Sequence, residues 1–490
     1  MKRYVLECIV FISGAIVMVY ELVGSRLISP YVGTSLYVWS SLIGVILGAL
    51  SLGYYLGGRL ADRRAEWHFF SGILFLAALF IGLTVFTKHV VLEFVALFNI
   101  RSEYTALLAS LFLFAPASIL LGMISPFSVK LRMKSLESSA STVGNLYAIS
   151  TIGSIAGTFS AGFFIIPFFG TTKILFFMAV VLLGLSMMAS WKAFFKTKTV
   201  LICFFLALVF FGNVHGFFTK KGMIDIDTPY NKVWINYETG VAKPMVVLYT
   251  DPFAAQSAMY LNDAELVFRY TKYFRLAKHF NPNIDTALMI GGCGYSYPKD
   301  FLKKFSNSTM DVVEIDPGMT RIARKYFGLY DNARLKIFHE DARTFLNRNK
   351  KKYDVIYSDA FNSFNSVPYQ LATSEAVEKM YAALNNDGLV IHNIISAING
   401  KKGEFLRAEI ATYKKYFPYV YVFRVNAENS YESQNIILIA LKNAREPSFE
   451  SADRELNGYL RSVWKERIVL DMPLITDDHA PVEYYKYRSM

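Results

Sequence analysis

Residues 286–294 read Thr286-Ala287-Leu288-Met289-Ile290-Gly291-Gly292-Cys293-Gly294, an apolar run that breaks into glycines. A short apolar run bounded by turn residues reads as a buried strand. Six similar runs follow at Met310–Ile315, Leu335–His339, Tyr353–Ser358, Gly388–Ile394, Tyr419–Arg424 and Asn435–Leu441. Helical stretches separate the first five, and Arg407–Tyr416 leads into the sixth. Strands alternating with helices predict an α/β domain built on a parallel, doubly wound sheet, with its ligand beyond the carboxyl ends of the strands. Upstream, residues 220–283 carry short β-like runs, Val233–Tyr237 and Met245–Tyr249, and then a helix-like stretch near Glu265–Phe280.

The rest of the chain is of another kind. Of 490 residues 53% are hydrophobic and 18% charged, too apolar for an ordinary soluble protein. Residues 1–219 hold 15 Lys+Arg against 7 Asp+Glu, a net charge of +8, while residues 220–490 hold 36 against 32, a net charge of +4. The first part therefore reads as a multi-span α-helical membrane domain with the lipid bilayer as its partner. Crossing takes about 20 apolar residues, and seven spans meet that: 4–24, 37–57, 69–87, 104–124, 145–168, 172–191 and 198–216. Eleven Lys and Arg lie in the connections on the N-terminal side and four on the other, which predicts a cytoplasmic N-terminus in the cell membrane. An odd count then puts residues 220–490 outside. The count is most open at residues 88–100, which are too short to cross but apolar enough to dip in.

With the excess charge in membrane loops, a nucleic-acid partner is not expected. Cys8, Cys203 and Cys293 have no ligand spacing, so neither a disulfide nor a metal is expected. The spacings Gly44/Gly48, Gly53/Gly57 and Gly153/Gly157 predict close helix approach. Glu7 and Glu21 fall on one helix face and predict hydrogen bonds between helices.

The chemistry lies at the strand ends. Gly291, Gly292, Cys293 and Gly294 follow the first strand, where glycines let backbone pass close to a ligand. Glu314 ends the second, the place for a carboxylate gripping ribose hydroxyls. Asp341-Ala342 follows the third, where an acid can accept from an adenine amino group, and Asp359 follows the fourth. One such acid is ordinarily a helix cap or a solvated turn. Four successive ends carrying glycine or acid predict a nucleoside-type site. A dinucleotide fits less well: G-x-G-x-x-G is absent, and Tyr297-Pro298 stands where a phosphate-binding helix should begin. His339 and His392 lie within strands and read as satisfied core histidines.

The series Gly291-Gly292-Cys293-Gly294, Glu314-Ile315-Asp316, Glu340-Asp341-Ala342 and Asp359-Ala360-Phe361-Asn362 resembles the spermidine synthase (polyamine aminopropyltransferase) family. It is closest in look to its membrane-fused members. Features typical of that group recur at Tyr20-Glu21-Leu22-Val23-Gly24-Ser25-Arg26, Tyr295-Ser296-Tyr297-Pro298 and Thr476-Asp477-Asp478-His479-Ala480-Pro481-Val482-Glu483. The resemblance implies a transmembrane domain over 1–219, a β-rich subdomain over 220–283 and a Rossmann-like, methyltransferase-fold catalytic domain over 284–490, usually as a homodimer. It implies S-adenosylmethionine, often in its decarboxylated form, as co-substrate and a polyamine or other small amine as acceptor.

By position, the resemblance makes Glu314 and Ile315 ribose-side residues, Asp341 and Ala342 adenine-side residues, and Asp359 the base. Gln256 and Tyr270 would line the amine pocket. Three positions depart from the family: Gly294 and Asn362 stand where it has aspartates, and Lys272 where it has a glutamate. Asp477 and Asp478 could replace the lost carboxylates if the tail folds over the site. Aromatics such as Tyr295, Tyr297, Phe361 and Phe364 would crowd the mouth, most of them as packing and one or two facing the ligand. Aminopropyl transfer leads; methyl transfer, or a non-catalytic sensor or transporter partner binding polyamine or nucleoside, are the alternatives.

Overall fold

The computed structural model of the chain describes residues 2–33, 35–97, 102–133, 139–191, 222–252, 254–360, 367–426 and 428–488. It divides into two compact units, Met1–Pro229 and Tyr230–Met490.

The described part of the first unit has six helices long and apolar enough to cross a bilayer. They are α1 (Lys2–Val32), α2 (Leu36–Arg63), α3 (Trp67–Leu97), α4 (Ser102–Arg132), α5 (Ser139–Phe168) and α6 (Thr171–Ala189). The seventh expected span, 198–216, lies outside the described residues. The separate dip expected at 88–100 is corrected through residue 97: α3 runs on to Leu97, because nothing between Thr87 and Leu97 breaks a helix. Phe112, Phe163, Phe164 and Phe177 are all exposed, a surface suited to acyl chains rather than water.

The helices hold one another by close approach and by buried hydroxyls. Tyr20 donates from α1 to the Leu113 carbonyl of α4 at 3.0 Å and lies 3.2 Å from Thr84 of α3. Ser71 and Ser186 exchange bonds between α3 and α6, each hydroxyl donating to the other's carbonyl at 2.7 Å. Glu7 accepts from Arg132 of α4 at 2.7 Å, so that carboxylate does bond between helices. Two of the three glycine spacings make contacts. A β-carbon on Gly57 would stand 2.6 Å from Met123 Cα of α4, and one on Gly157 of α5 would stand 2.6 Å from Ala15 Cα of α1. Gly44 and Gly48 face open space instead.

The short strand β1 (Ile224–Asp227) comes near the end of the first unit. In the second, β2 (Lys232–Glu238), β3 (Met245–Tyr249) and β4 (Ala255–Tyr260) pair antiparallel in order. Helical turns over Arg269–Tyr273, Phe274–Leu276 and Ala277–Phe280 lead into the main sheet. Its strands are β5 (Thr286–Ile290), β6 (Thr309–Val313), β7 (Leu335–Phe338), β8 (Tyr353–Ser358), β9 (Leu384–Ser396), β10 (Tyr419–Arg424) and β11 (Gln434–Leu441).

The order across the sheet is β10-β11-β9-β8-β5-β6-β7. β9, β8, β5, β6 and β7 run parallel, but β11 is antiparallel to both its neighbours. The sheet is therefore mixed, not wholly parallel as expected. The cause is the connection: residues 425–433 contain no crossover helix, and a chain without one can only return antiparallel. Leu288, Ile290, Val313, Ile356, Val390 and Ile394 form one core with helix residues Phe345, Leu346, Val377, Met380, Phe405 and Leu406.

The register decides where the chemistry goes. Ile290 pairs with Val313 on one side and with Ser358 on the other. The next residues, Gly291, Glu314 and Asp359, therefore come off one edge at one level.

Replacing Gly157 by leucine should drive a side chain into α1. We expect the unfolding midpoint in detergent to fall by the equivalent of about 1–3 kcal/mol of overpacking, whereas Gly48→Leu, in open space, should leave it unmoved.

Candidate active site

The loop after β5 is shaped by backbone, not by side chains. Gly291 has φ +91° and a β-carbon there would lie 3.0 Å from the Asp359 carbonyl carbon, so glycine is required twice over. Gly292 and Cys293 each donate their N–H to Glu314 Oε2 at 2.9 Å, and Asp316 donates its N–H to Oε1, also at 2.9 Å. Glu314 is thus turned into the loop and is 7% exposed. Burial raises its pKa, against those three N–H groups, which lower it. Ile315 is half-buried beside it.

The neighbouring acids do local work. Asp316 is buried and caps the helix Pro317–Tyr326, accepting from Gly318 N at 2.8 Å. Asp341 caps Ala342–Arg348 by accepting from Thr344 N at 3.0 Å, and its other oxygen takes a 3.3 Å bond from Gln370. Ala342 is buried behind it.

Asp359 is held by side chains from other elements. Its Oδ2 accepts from Tyr270 Oη at 3.1 Å and its Oδ1 from Asn393 Nδ2 at 2.9 Å. It keeps some exposure, yet the dense protein around it pushes its pKa up to about 6, against the lowering effect of those two donors. Tyr270 stacks on Phe268 at 6.0 Å and meets Phe274 edge-on at 6.1 Å. Burial and then the Asp359 charge raise its phenol well above the ordinary value. Cys293 has φ +44°, and its thiol is raised by burial and then by the fields of Glu314 and Asp359.

Other expected residues are placed as follows. Gln256 is half-buried on β4, next to Ser257. A β-carbon at Gly294 would come 2.9 Å from Ser257 Cβ and 3.2 Å from Phe327, so that position is already filled. Lys272 is paired with Glu265 at 3.3 Å. Asn362, Phe361 and Phe364 lie outside the described residues. Asp477 is held by Arg343 at 2.6 Å and Thr373 at 2.7 Å, while Asp478 is exposed. Neither is hydrogen-bonded to Asp359 or Glu314 among the described residues.

Tyr295 and Tyr297 are buried packing, the role expected of most of these aromatics, while the reading of His392 as a satisfied histidine is corrected. The Tyr295 ring lies against Gly292 and its hydroxyl is 2.7 Å from Thr320; Tyr297 packs on Tyr357 and Phe274. Their rings are the apolar floor that the glycine loop needs. His339 is tied to Thr320 at 2.9 Å, but buried His392 has no partner for Nδ1 among the described residues, and burial lowers its pKa to about 4. Asn393 was not found from sequence as a contact of this site. A lone asparagine inside the apolar run Leu389–Ile395 is the signal that could have found it, since a buried polar side chain in a strand needs a partner.

A family model described as "Spermine/spermidine synthase domain" matches residues 268–450. A polyamine aminopropyltransferase of Vibrio vulnificus is 30% identical over 241 residues, covering 46% of this chain and 77% of that protein. Polyamine aminopropyltransferase 1 of Streptomyces coelicolor is 24% identical over 414 residues, 79% of this chain and 75% of that one. Among solved structures, a probable spermidine synthase from Corynebacterium glutamicum aligns with 20% identity and a TM-score of 0.43 over 50% of this chain and 87% of its own.

The raised Asp359 pKa has a sign that can be checked. A carboxyl that titrates higher folded than unfolded weakens the fold as pH climbs from about 4 through 6, because the unfolded chain gives up its proton first. Asp359→Asn removes that penalty. Its melting temperature relative to the parent should rise between pH 4.5 and 7.5; a constant difference would contradict the raised value.

Proposed function

This chain belongs to the polyamine aminopropyltransferase family, and on that premise we propose that it is a membrane-anchored enzyme that moves an aminopropyl group from a decarboxylated S-adenosylmethionine-type sulfonium to an amine. The observation that carries the reading is the carboxylate of Asp359, raised by burial and held only by side-chain donors, standing at the same sheet edge, and the same level, as Gly291 and Glu314.

The residues fit such a co-substrate. The two oxygens of Glu314 take three N–H bonds, two on Oε2 and one on Oε1, which leaves one lone pair, on Oε1, for a ribose hydroxyl. Asp341 Oδ2, with one long bond from Gln370, can accept from an adenine amino group. Gly291–Gly294 and Ile315 would border the nucleoside and Ala342 the adenine. Gln256, Tyr270 and Asn362 would line the amine side.

An aliphatic amine is almost wholly protonated at pH 7 and has no lone pair to offer. Asp359 would bind the ammonium and accept one proton as the nitrogen attacks the propyl carbon bonded to sulfur. The carbon–sulfur bond breaks with its electron pair going to sulfur, which becomes the neutral thioether of methylthioadenosine. A pKa near 6 brings the carboxyl closer to the amine than an ordinary aspartate, which eases the transfer. The rest of the acceleration would come from holding nitrogen, carbon and sulfur in line.

The likeness to polyamine aminopropyltransferases favours aminopropyl over methyl transfer. The acceptor is a polyamine or another small amine, in a pocket with fewer acids than its relatives' because of Gly294, Asn362 and Lys272. Six apolar helices support anchoring in the cell membrane with the N-terminus cytoplasmic. With 198–216 as a seventh span, the catalytic unit would face outward. A homodimer is the proposed assembly.

Mass spectrometry on the purified full chain, given both sulfonium forms and a panel of amines, tests the reading. Methylthioadenosine with an aminopropylated amine is the expected product. S-adenosylhomocysteine would make the protein a methyltransferase, and no product would shift it to binding or sensing. Asp359→Asn should lose about 10²–10⁴-fold in turnover with co-substrate binding kept, whereas Glu314→Ala should lose the binding itself.

A further inference from the structure

Asp359 is positioned from a strand far along the chain. Asn393 of β9 is 2% exposed, and its Nδ2 donates to Asp359 Oδ1 at 2.9 Å. Its own oxygen, Oδ1, accepts from Asn435 Nδ2 of β11 at 3.1 Å. In the antiparallel register Asn393 faces Ile437, and Asn435 faces Ile395, so the two amides are diagonal neighbours on one face of the sheet. The reversed strand β11 is what brings Asn435 there.

The direction of this chain matters. A carboxamide is nearly symmetric in shape but has a donor at one end and an acceptor at the other. With the Asn435 N–H₂ on its oxygen, Asn393 must turn its own N–H₂ toward Asp359. If that hold is removed, the amide can turn over and set its oxygen against a carboxylate oxygen. Two facing acceptors repel unless the carboxyl is protonated or rotates away.

We propose that Asn435 and Asn393 form a positioning relay that fixes the rotation of the Asp359 carboxylate and keeps it ionised for proton transfer. The proposal rests on the reading of Asp359 as the proton acceptor. Tyr270 occupies Oδ2 and Asn393 occupies Oδ1, so each oxygen keeps a lone pair for the incoming ammonium. Among the described residues, the titratable groups that act on or bond Asp359 are Tyr270, from the helix Arg269–Tyr273, and the Cys293 thiol, from the glycine loop, a thiol that also feels Glu314 and Asp316. None of these is a cation, so the carboxylate depends on neutral donors.

The test compares Asn435→Leu, which removes the donor without adding charge, with Asn435→Ser, which keeps a hydroxyl donor. Asp359 is followed directly by the pH titration of its infrared carboxyl band, assigned by its loss in Asp359→Asn. In Asn435→Leu the titration should move up by about one unit, a tenfold drop in the ionised fraction on the acid side. The acid limb of kcat should move with it, while KM for the sulfonium stays unchanged. Asn435→Ser should recover most of both. An unmoved band and an unmoved kcat limb in Asn435→Leu would overturn the relay. If the parent protein turns over no amine while the band still moves, the relay stands and the transferase reading falls.

Discussion

Three backbone N–H groups, those of Gly292, Cys293 and Asp316, converge on the carboxylate of Glu314. They tie the loop after β5 to the end of β6, and the shape of the whole strand edge follows. With the loop pinned, Gly291 can pass against the Asp359 carbonyl, and Cys293 takes a left-handed backbone. Hydrogen bonds to a charged group are stronger than neutral ones, so a buried glutamate can organise a loop that has almost no side chains of its own.

The same edge carries a second carboxylate kept under the opposite rule. Glu314 is surrounded by backbone donors that belong to the fold, whereas Asp359 has one phenol and one amide, both from other elements. Burial raises both acids. Only side-chain donors oppose it at Asp359, and side chains can be adjusted singly without unmaking the loop. That difference suits one acid to holding a ligand and the other to exchanging a proton.

Much of this edge could be read from the chain. Seven apolar runs gave seven strands because buried strands of a doubly wound sheet are continuous apolar segments, and the residues after Ile290, Val313 and Ser358 fall where strand order puts them. Strand polarity is not in that pattern: Asn435–Leu441 would look the same running either way, and only the helix-free stretch 425–433 hinted at its reversal. Spacing also places Glu314 without saying that it folds back on the glycine loop. The tail shows the same limit, since Thr476–His479 does reach the domain, yet Asp477 is taken up by Arg343 and Thr373. Which of the aromatics would pack and which would face the ligand was likewise not in the spacing, because an aromatic beside glycines can lie under the loop as readily as over it.

On the reading proposed above, the sparse acidity of the pocket has a mechanistic meaning. A polycation is gripped by several carboxylates, but here Gly294 is packed shut, Lys272 is neutralised by Glu265, and residues 360–373 contain no charged side chain. Asp359 must then both draw in the ammonium and take its proton. Those demands conflict, since strong ion pairing lowers the very pKa that makes the carboxyl a useful acceptor. Holding the value near 6 with weak neutral donors favours the second task. The acceptor would then be recognised chiefly by fit against the half-buried rings of Phe268 and Tyr270, where an amine with an apolar body gains more than one with a second charge.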